Sequence, residues 1–178
     1  VISNGMKRQG NGSFDFDFFW KRSITAAVAS NLVASLVKHP DDDTFITALL
    51  QDIGIIVMHL CRPDDYLRVL QDKKTTGKSV ELVETEVFGL DHQAVGAELL
   101  KLWGLPENIT MPIRYHQMNE PAPNGCKVQA SILLLSDKIS SVYHGTRGTE
   151  KMRDIKNILQ QDFNLDHPDV ESLVDAVA

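Results

Sequence analysis

The apolar positions of this chain recur with helical spacing nearly from end to end. Over residues 18–38, Ala26, Ala27, Val28, Ala29, Leu32, Val33, Leu36 and Val37 form a wide apolar face with few breakers. Asp15 or Asp17 can cap the start of that helix, and His39-Pro40 stops it. Asp41-Asp42-Asp43 then puts negative charge at the positive end of a second helix, over residues 44–61. That stretch is apolar almost all round, as in the central helix of a bundle, and only Gln51, Asp52 and His59 interrupt it.

Further helices are predicted over 63–73, over 79–88 with Gly89 as a left-handed cap, and over 91–103 with Asp91 as N-cap and Gly104 as closure. Pro106 takes a first-turn position in a helix reaching about residue 118. After a loop with Pro121 and Pro123, residues 126–144 form a second strongly apolar helix. Two shorter ones follow, over 149–163 and from 168 to the end, with polar outer faces. No alternating strand pattern or internal repeat is seen, so the expected class is all-α, a multi-helix bundle. Residues 1–14 read as an irregular lead-in, 15–145 as the helical core and 146–178 as a C-terminal helical extension of the same domain.

Composition narrows the functions available. A length of 178 residues, 43% of them hydrophobic, suffices for one domain core. A net charge of −6, with no Lys/Arg stripe interleaved with aromatics, argues against nucleic acid as a partner. Apolar runs such as residues 53–60 fall short of the roughly 20 residues that cross a membrane, so no membrane segment is expected. Cys61 and Cys126 form no CxxC pair and read as reduced thiols, which suits a cytoplasmic protein. The chain opens on Val1 without a signal pattern and is expected to be a piece of something longer.

Asp52 and Asp137 are carboxylates embedded in apolar helices, where an unpaired charge is costly and demands a cationic or hydrogen-bonding partner. Taken singly, each acid would more often be a cap or half of an ion pair, and His92 and His116 would be surface or core histidines. His39, His59, His144 and His167 sit at helix ends or on faces without an acidic companion. Trp20, Trp103 and the aromatics of residues 14–19 read as packing.

Order and context change that weighting. Phe19-Trp20-Lys21-Arg22-Ser23, Ala48-Leu49-Leu50-Gln51-Asp52-Ile53-Gly54, the stretch 86–100 around Gly89-Leu90-Asp91-His92, Trp103-Gly104-Leu105-Pro106, Ile113-Arg114-Tyr115-His116 and Ser136-Asp137 occur together over residues 15–145. In this the chain resembles the HDOD family, the HD-related output domains of bacterial signalling proteins and offshoots of the HD-domain metal-dependent phosphohydrolases. The resemblance implies an HD-domain-like helical bundle whose superfamily ligand positions fall at Arg22, Gln51, Asp52, His92, His116, Gln117 and Asp137. It also implies a further helical portion ahead of the Phe-Trp segment, where this chain has residues 1–14.

Arg22, Gln51 and Gln117 are not metal-binding types. Arg22 is a permanent cation that can sit in the vacated site and neutralise Asp52 or Asp137. Ile55 stands where active relatives often carry a lysine, and no Gly-Tyr-Pro motif follows His116. The leading expectation is therefore a non-catalytic signalling output or interaction domain with a degenerate metal site, its partners being other signalling domains or a second copy of itself. The remaining set Asp52, His92, His116 and Asp137 would hold one divalent ion (Fe, Mn, Ni or Zn) weakly. The competing expectation is a metal-dependent phosphohydrolase acting on phosphate esters or nucleotides. A third is nucleotide binding without turnover, with Arg22, Lys21 or Arg114 meeting phosphate.

Overall fold

The computed structural model describes residues 14–39, 41–118, 120–145, 149–165 and 170–177. All the regular structure in them is helical: α1 (Phe16–Leu36), α2 (Thr44–Leu50), α3 (Ile53–Cys61), α4 (Pro63–Thr76), α5 (Val80–Phe88), α6 (His92–Leu102), α7 (Glu107–Arg114), α8 (Lys127–Tyr143), α9 (Thr149–Phe163) and α10 (Val170–Asp175). The lead-in over residues 1–13 and the start of the last predicted helix at Pro168 lie outside the described residues.

Local chemistry accounts for most boundaries. Asp15 caps α1 by accepting from the Phe18 amide at 2.8 Å. Ser79 caps α5 and Asp91 caps α6, while Gly77, Gly89 and Gly104 take the left-handed conformation after helix ends. Several predicted ends move, and α4 runs three residues beyond its expected end, to Thr76. Pro106 is the N-cap of α7 rather than a first-turn residue, and α7 stops at Arg114, four residues early, in a turn that carries His116. Cys61 is exposed at the end of α3, Cys126 is buried at the N-cap of α8, and both are free thiols.

The main correction concerns residues 44–61, expected as one helix and found as two. The ladder breaks at Gln51 and Asp52, where Asp52 leaves helical geometry (φ −99°, ψ 11°). Neither Gly nor Pro marks the break, because its cause lies elsewhere in the molecule: both side chains are buried, and the Asp52 carboxylate faces two histidines from other elements. By length and composition the stretch Thr44–Cys61 could cross a membrane. Here it packs as core, with Ala48, Ile56 and Met58 buried.

Helix α1 lies along α2 and α8, α3 crosses α6, and α6 packs on α7. One apolar cluster joins α1, α2, α6, α7 and α8 through Ala27, Ala48, Leu100, Ile113 and Leu133. A second, around Tyr66, Val69 and Val83, joins α3, α4 and α5. The third ties the C-terminal helices to the core, since Ile155 of α9 and Val174 of α10 are buried with Ile132, Leu135 and Ile139 of α8.

The α3–α6 crossing is unusually close. A Cβ placed on Gly54 would stand 2.0 Å from the His92 carbonyl oxygen and 2.8 Å from the Gly96 nitrogen. The Cβ position of Gly96 lies 3.2 Å from the Gly54 nitrogen. Backbone therefore rests on backbone two residues after Asp52 and at His92 itself. Gly54→Ala is expected to destabilise the fold by about 1–3 kcal/mol, despite the better helix propensity of alanine, because neither backbone can yield locally. Gly96→Ala should cost less. Urea unfolding checks this, and an unchanged or higher midpoint for Gly54→Ala would show that the crossing relaxes.

Candidate metal centre

Five elements meet beside that crossing. Asp52 comes from the break between α2 and α3, His92 is the first residue of α6, and His116 lies in the turn after α7. Arg22 comes from α1 and Asp137 from α8. Asp52, His92 and His116 are 7%, 1% and 0% exposed. Asp52 Oδ1 is 3.5 Å from His92 Nε2 and 3.4 Å from His116 Nε2, and the three ligand-capable atoms lie within 4.8 Å of one another. Ligands held about 2.1 Å from a tetrahedral ion stand roughly 3.4 Å apart, so the two measured edges fit one small cation.

The hydrogen bonds on the far side of each ring decide what faces the centre. His116 Nδ1 is 2.8 Å from the Ile113 carbonyl oxygen, which can only accept, so Nδ1 carries the proton. His92 Nδ1 is 2.6 Å from Glu84 Oε2, again an acceptor. In the neutral rings both Nε2 atoms then present lone pairs toward a carboxylate oxygen. Neither Nε2 has a hydrogen-bond partner, although both are buried. Three inward acceptors without a donor require a positive species between them, which is either a proton on a ring or a metal ion. The donor set fits the latter.

Electrostatics show how strongly the cluster attracts positive charge. Burial opposes the Asp52 charge, but His116, His92 and Arg22 outweigh it and hold the carboxyl well below the usual range. Burial likewise opposes charge on His92, yet Glu84 and Asp52 raise it to about 9. Arg22 pairs with Asp137, and without a metal the charge that Asp52 and Glu84 favour is the one on His92 between them.

Asp137 is drawn into a salt bridge with Arg22 rather than grouped with the three clustered ligand atoms. The Asp137 carboxylate holds the guanidinium firmly protonated against the effect of burial, with Asp52 adding to it. Arg22 Nε is buried without a partner, as are both polar atoms of the Gln51 amide, which is 1% exposed. Gln117 is half-buried, and its backbone amide donates to Gln93 Oε1 at 2.9 Å. Lys21 is exposed, and Arg114 lies 3.9 Å from both Asp91 and Glu120. His144 contacts Thr25 Oγ1 at 2.8 Å, and His59 stacks with Phe14.

Glu84 was not anticipated. It is fully buried, and its Oε2 accepts from both the ring and the backbone amide of His92, the latter at 2.9 Å. Tyr66 donates to its Oε1 at 3.2 Å, and burial followed by the Glu84 charge raises the Tyr66 phenol far above its ordinary value. The signal was present: Val80, Val83, Glu84 and Val87 form one helical stripe in which an acid takes an apolar position.

Two outcomes follow from this geometry. His92 has a folded pKa above its ordinary 6.5, so its charge stabilises the metal-free protein fully below pH 6.5 and that contribution fades as pH rises through about 9. Denaturation midpoints in chelator should fall across that window, and His92→Gln should lack that part of the slope; the same slope in the variant would refute the assignment. Arg22→Ala should cost roughly 1–3 kcal/mol, less than a fully buried pair because the Arg22 side chain is 33% exposed. Unchanged thermal stability would mean that Asp137 does not depend on it.

Comparison with known proteins places the chain in a family. The HDOD domain family matches residues 1–119. A Shewanella amazonensis protein named as a candidate phosphohydrolase superposes with a TM-score of 0.73 at 18% identity, covering 99% of this chain and 63% of that one. An HDOD domain protein of unknown function from Geobacter sulfurreducens gives 0.72 at 20% identity, covering 89% and 57%. A Marinobacter aquaeolei protein named for signal transduction gives 0.73 at 20% identity, covering 96% and 38%. The chain thus spans from 38% to 63% of the lengths of these structures, and they share its all-helical fold. On the match across residues 1–119, the chain belongs to the HDOD domain family.

Proposed function

We propose that this chain is a signalling module of HDOD type that binds one divalent cation through Asp52 Oδ1, His92 Nε2 and His116 Nε2 without turning over phosphate esters. The observation that carries the reading is the pair of buried Nε2 atoms without hydrogen-bond partners, 3.5 and 3.4 Å from one carboxylate oxygen. A dication there would take the place of the His92 proton and neutralise the buried Asp52 and Glu84 carboxylates. Two imidazoles and one carboxylate suit Fe, Mn, Ni or Zn better than Ca or Mg. Bound there, the ion would hold the α2–α3 break, the start of α6 and the turn after α7 in one arrangement, a state that a signalling partner can read.

Two features support binding rather than turnover. The ligands are nearly sealed from solvent, Asp52 being 7% exposed, which leaves little approach for a phosphate ester. The Asp137 carboxylate is engaged by Arg22, which competes with its use as a metal ligand or as a base toward water. The signal-transduction name of the Marinobacter relative is in keeping with this reading. Hydrolysis is the second reading, favoured by the ligand count, since three protein ligands with an open position is the pattern of a catalytic zinc site.

Elemental analysis after loading with Mn, Fe, Ni or Zn should give close to one ion per chain, falling in His92→Ala and His116→Ala. The loaded protein should not accelerate phosphodiester cleavage above the metal-free control. No retained metal would overturn cation binding, whereas turnover that disappears in Asp52→Asn would establish the hydrolase.

A further inference from the structure

The cation reading leaves Glu84 without a role, although this carboxylate is fully buried on α5 and has no Lys or Arg partner among the described contacts. Burying such a charge to satisfy one helix-end amide would be an expensive way to cap α6, because Asp91 already serves that end by accepting from the Ala94 amide at 2.8 Å. What Glu84 does beyond capping is grip one residue twice. Its Oε2 takes the His92 backbone amide at 2.9 Å and the His92 Nδ1 proton at 2.6 Å, which fixes the ring against rotation about both of its side-chain torsions. Its Oε1 is held in turn by the Tyr66 hydroxyl at 3.2 Å, and the Tyr66 ring is wedged among Phe14, His59 and Phe88.

We infer that Glu84 is the positioning residue of the metal centre, holding His92 with its proton on Nδ1 so that the Nε2 lone pair points at Asp52. The inference rests on the cation reading for its purpose, but its geometry stands independently of whether an ion binds. An acceptor-only carboxylate admits one ring orientation and one tautomer. It also raises the electron density on Nε2, as carboxylates behind metal-bound imidazoles do. The neighbouring histidine is served by a neutral carbonyl, that of Ile113, so the two ligands are unequal and His92 is the stronger donor. Tyr66 extends the chain of contacts to the aromatic cluster at the start of α1, where Phe14 and Phe19 pack together.

Glu84→Gln tests this with nearly unchanged shape. The amide oxygen keeps the place of Oε2, where the His92 backbone N–H requires an acceptor, and the NH2 faces the Tyr66 hydroxyl, so the ring loses its charged acceptor while the shape is kept. Zinc affinity, measured by competition with a chromophoric chelator, should fall about 10–100-fold. The downfield imidazole N–H proton resonance of His92, assigned by its loss in His92→Gln, should move upfield in Glu84→Gln whether or not zinc is present. A merely structural role for Glu84 would lower the melting temperature and leave both readouts in place in the folded fraction, and that result overturns the inference. If the unsubstituted protein binds no zinc, the cation reading fails by itself and the resonance alone decides the positioning role. Should Glu84→Gln not fold, Tyr66→Phe, which keeps both His92 contacts, takes its place. A displaced His92 resonance there supports the chain of contacts, and an unmoved one overturns it.

Discussion

The contact on which the site depends is the crossing of α3 over α6 at Gly54. With the backbone of Gly54 against the His92 carbonyl, the two helices approach more closely than any side chain would allow. Asp52 lies two residues before that contact and His92 is in it, so the crossing sets the separation of the carboxylate from the imidazole. A wider packing distance of 8–10 Å, usual between helices that carry side chains at their contact, would carry Asp52 out of reach of a shared ion. The break between α2 and α3 has the same origin: a continuous helix through Gln51 and Asp52 would not leave the Asp52 carboxylate facing both rings.

Around this crossing the molecule concentrates polar atoms that its own hydrogen bonds do not satisfy. Among the described residues, the buried side-chain atoms without a partner include the two Nε2 atoms, both polar atoms of Gln51 and Arg22 Nε, all on residues at or beside Asp52. Folded proteins rarely leave such groups orphaned, so each calls for a partner such as an ion or a water. The Arg22–Asp137 pair closes one side of the cluster with a permanent charge, and the Glu84–Tyr66 pair closes another with a buried acid. The centre is thus held by α1, α4, α5 and α8 as well as by the segments that carry its ligands.

Division of labour among the helices follows from this. Helices α9 and α10 bury Ile155, Leu159 and Val174 against α8 and contribute to the apolar core rather than to the centre. Helix α1 serves both, since Ala29 and Val33 pack into that core while Arg22, near its other end, reaches Asp137.

Much of this was legible in the chain itself. Helical periodicity, capping residues and left-handed glycines are local, and they placed nearly every helix to within a few residues. The embedded acids Asp52 and Asp137 declared themselves because a charge inside an apolar helix has a cost that any fold must meet. Tertiary structure alone decided the rest. The break at Gln51 and Asp52 answers two histidines 40 and 64 residues further on, and no local signal carries that demand. The partnership of Arg22 with Asp137, which leaves Asp52, His92 and His116 as the converging set, is a matter of reach in space. Glu84 takes an apolar position of its helix in the sequence, but that it meets His92 is decided by where α5 packs. Sequence determines which residues are costly to bury, whereas only packing determines which of them meet.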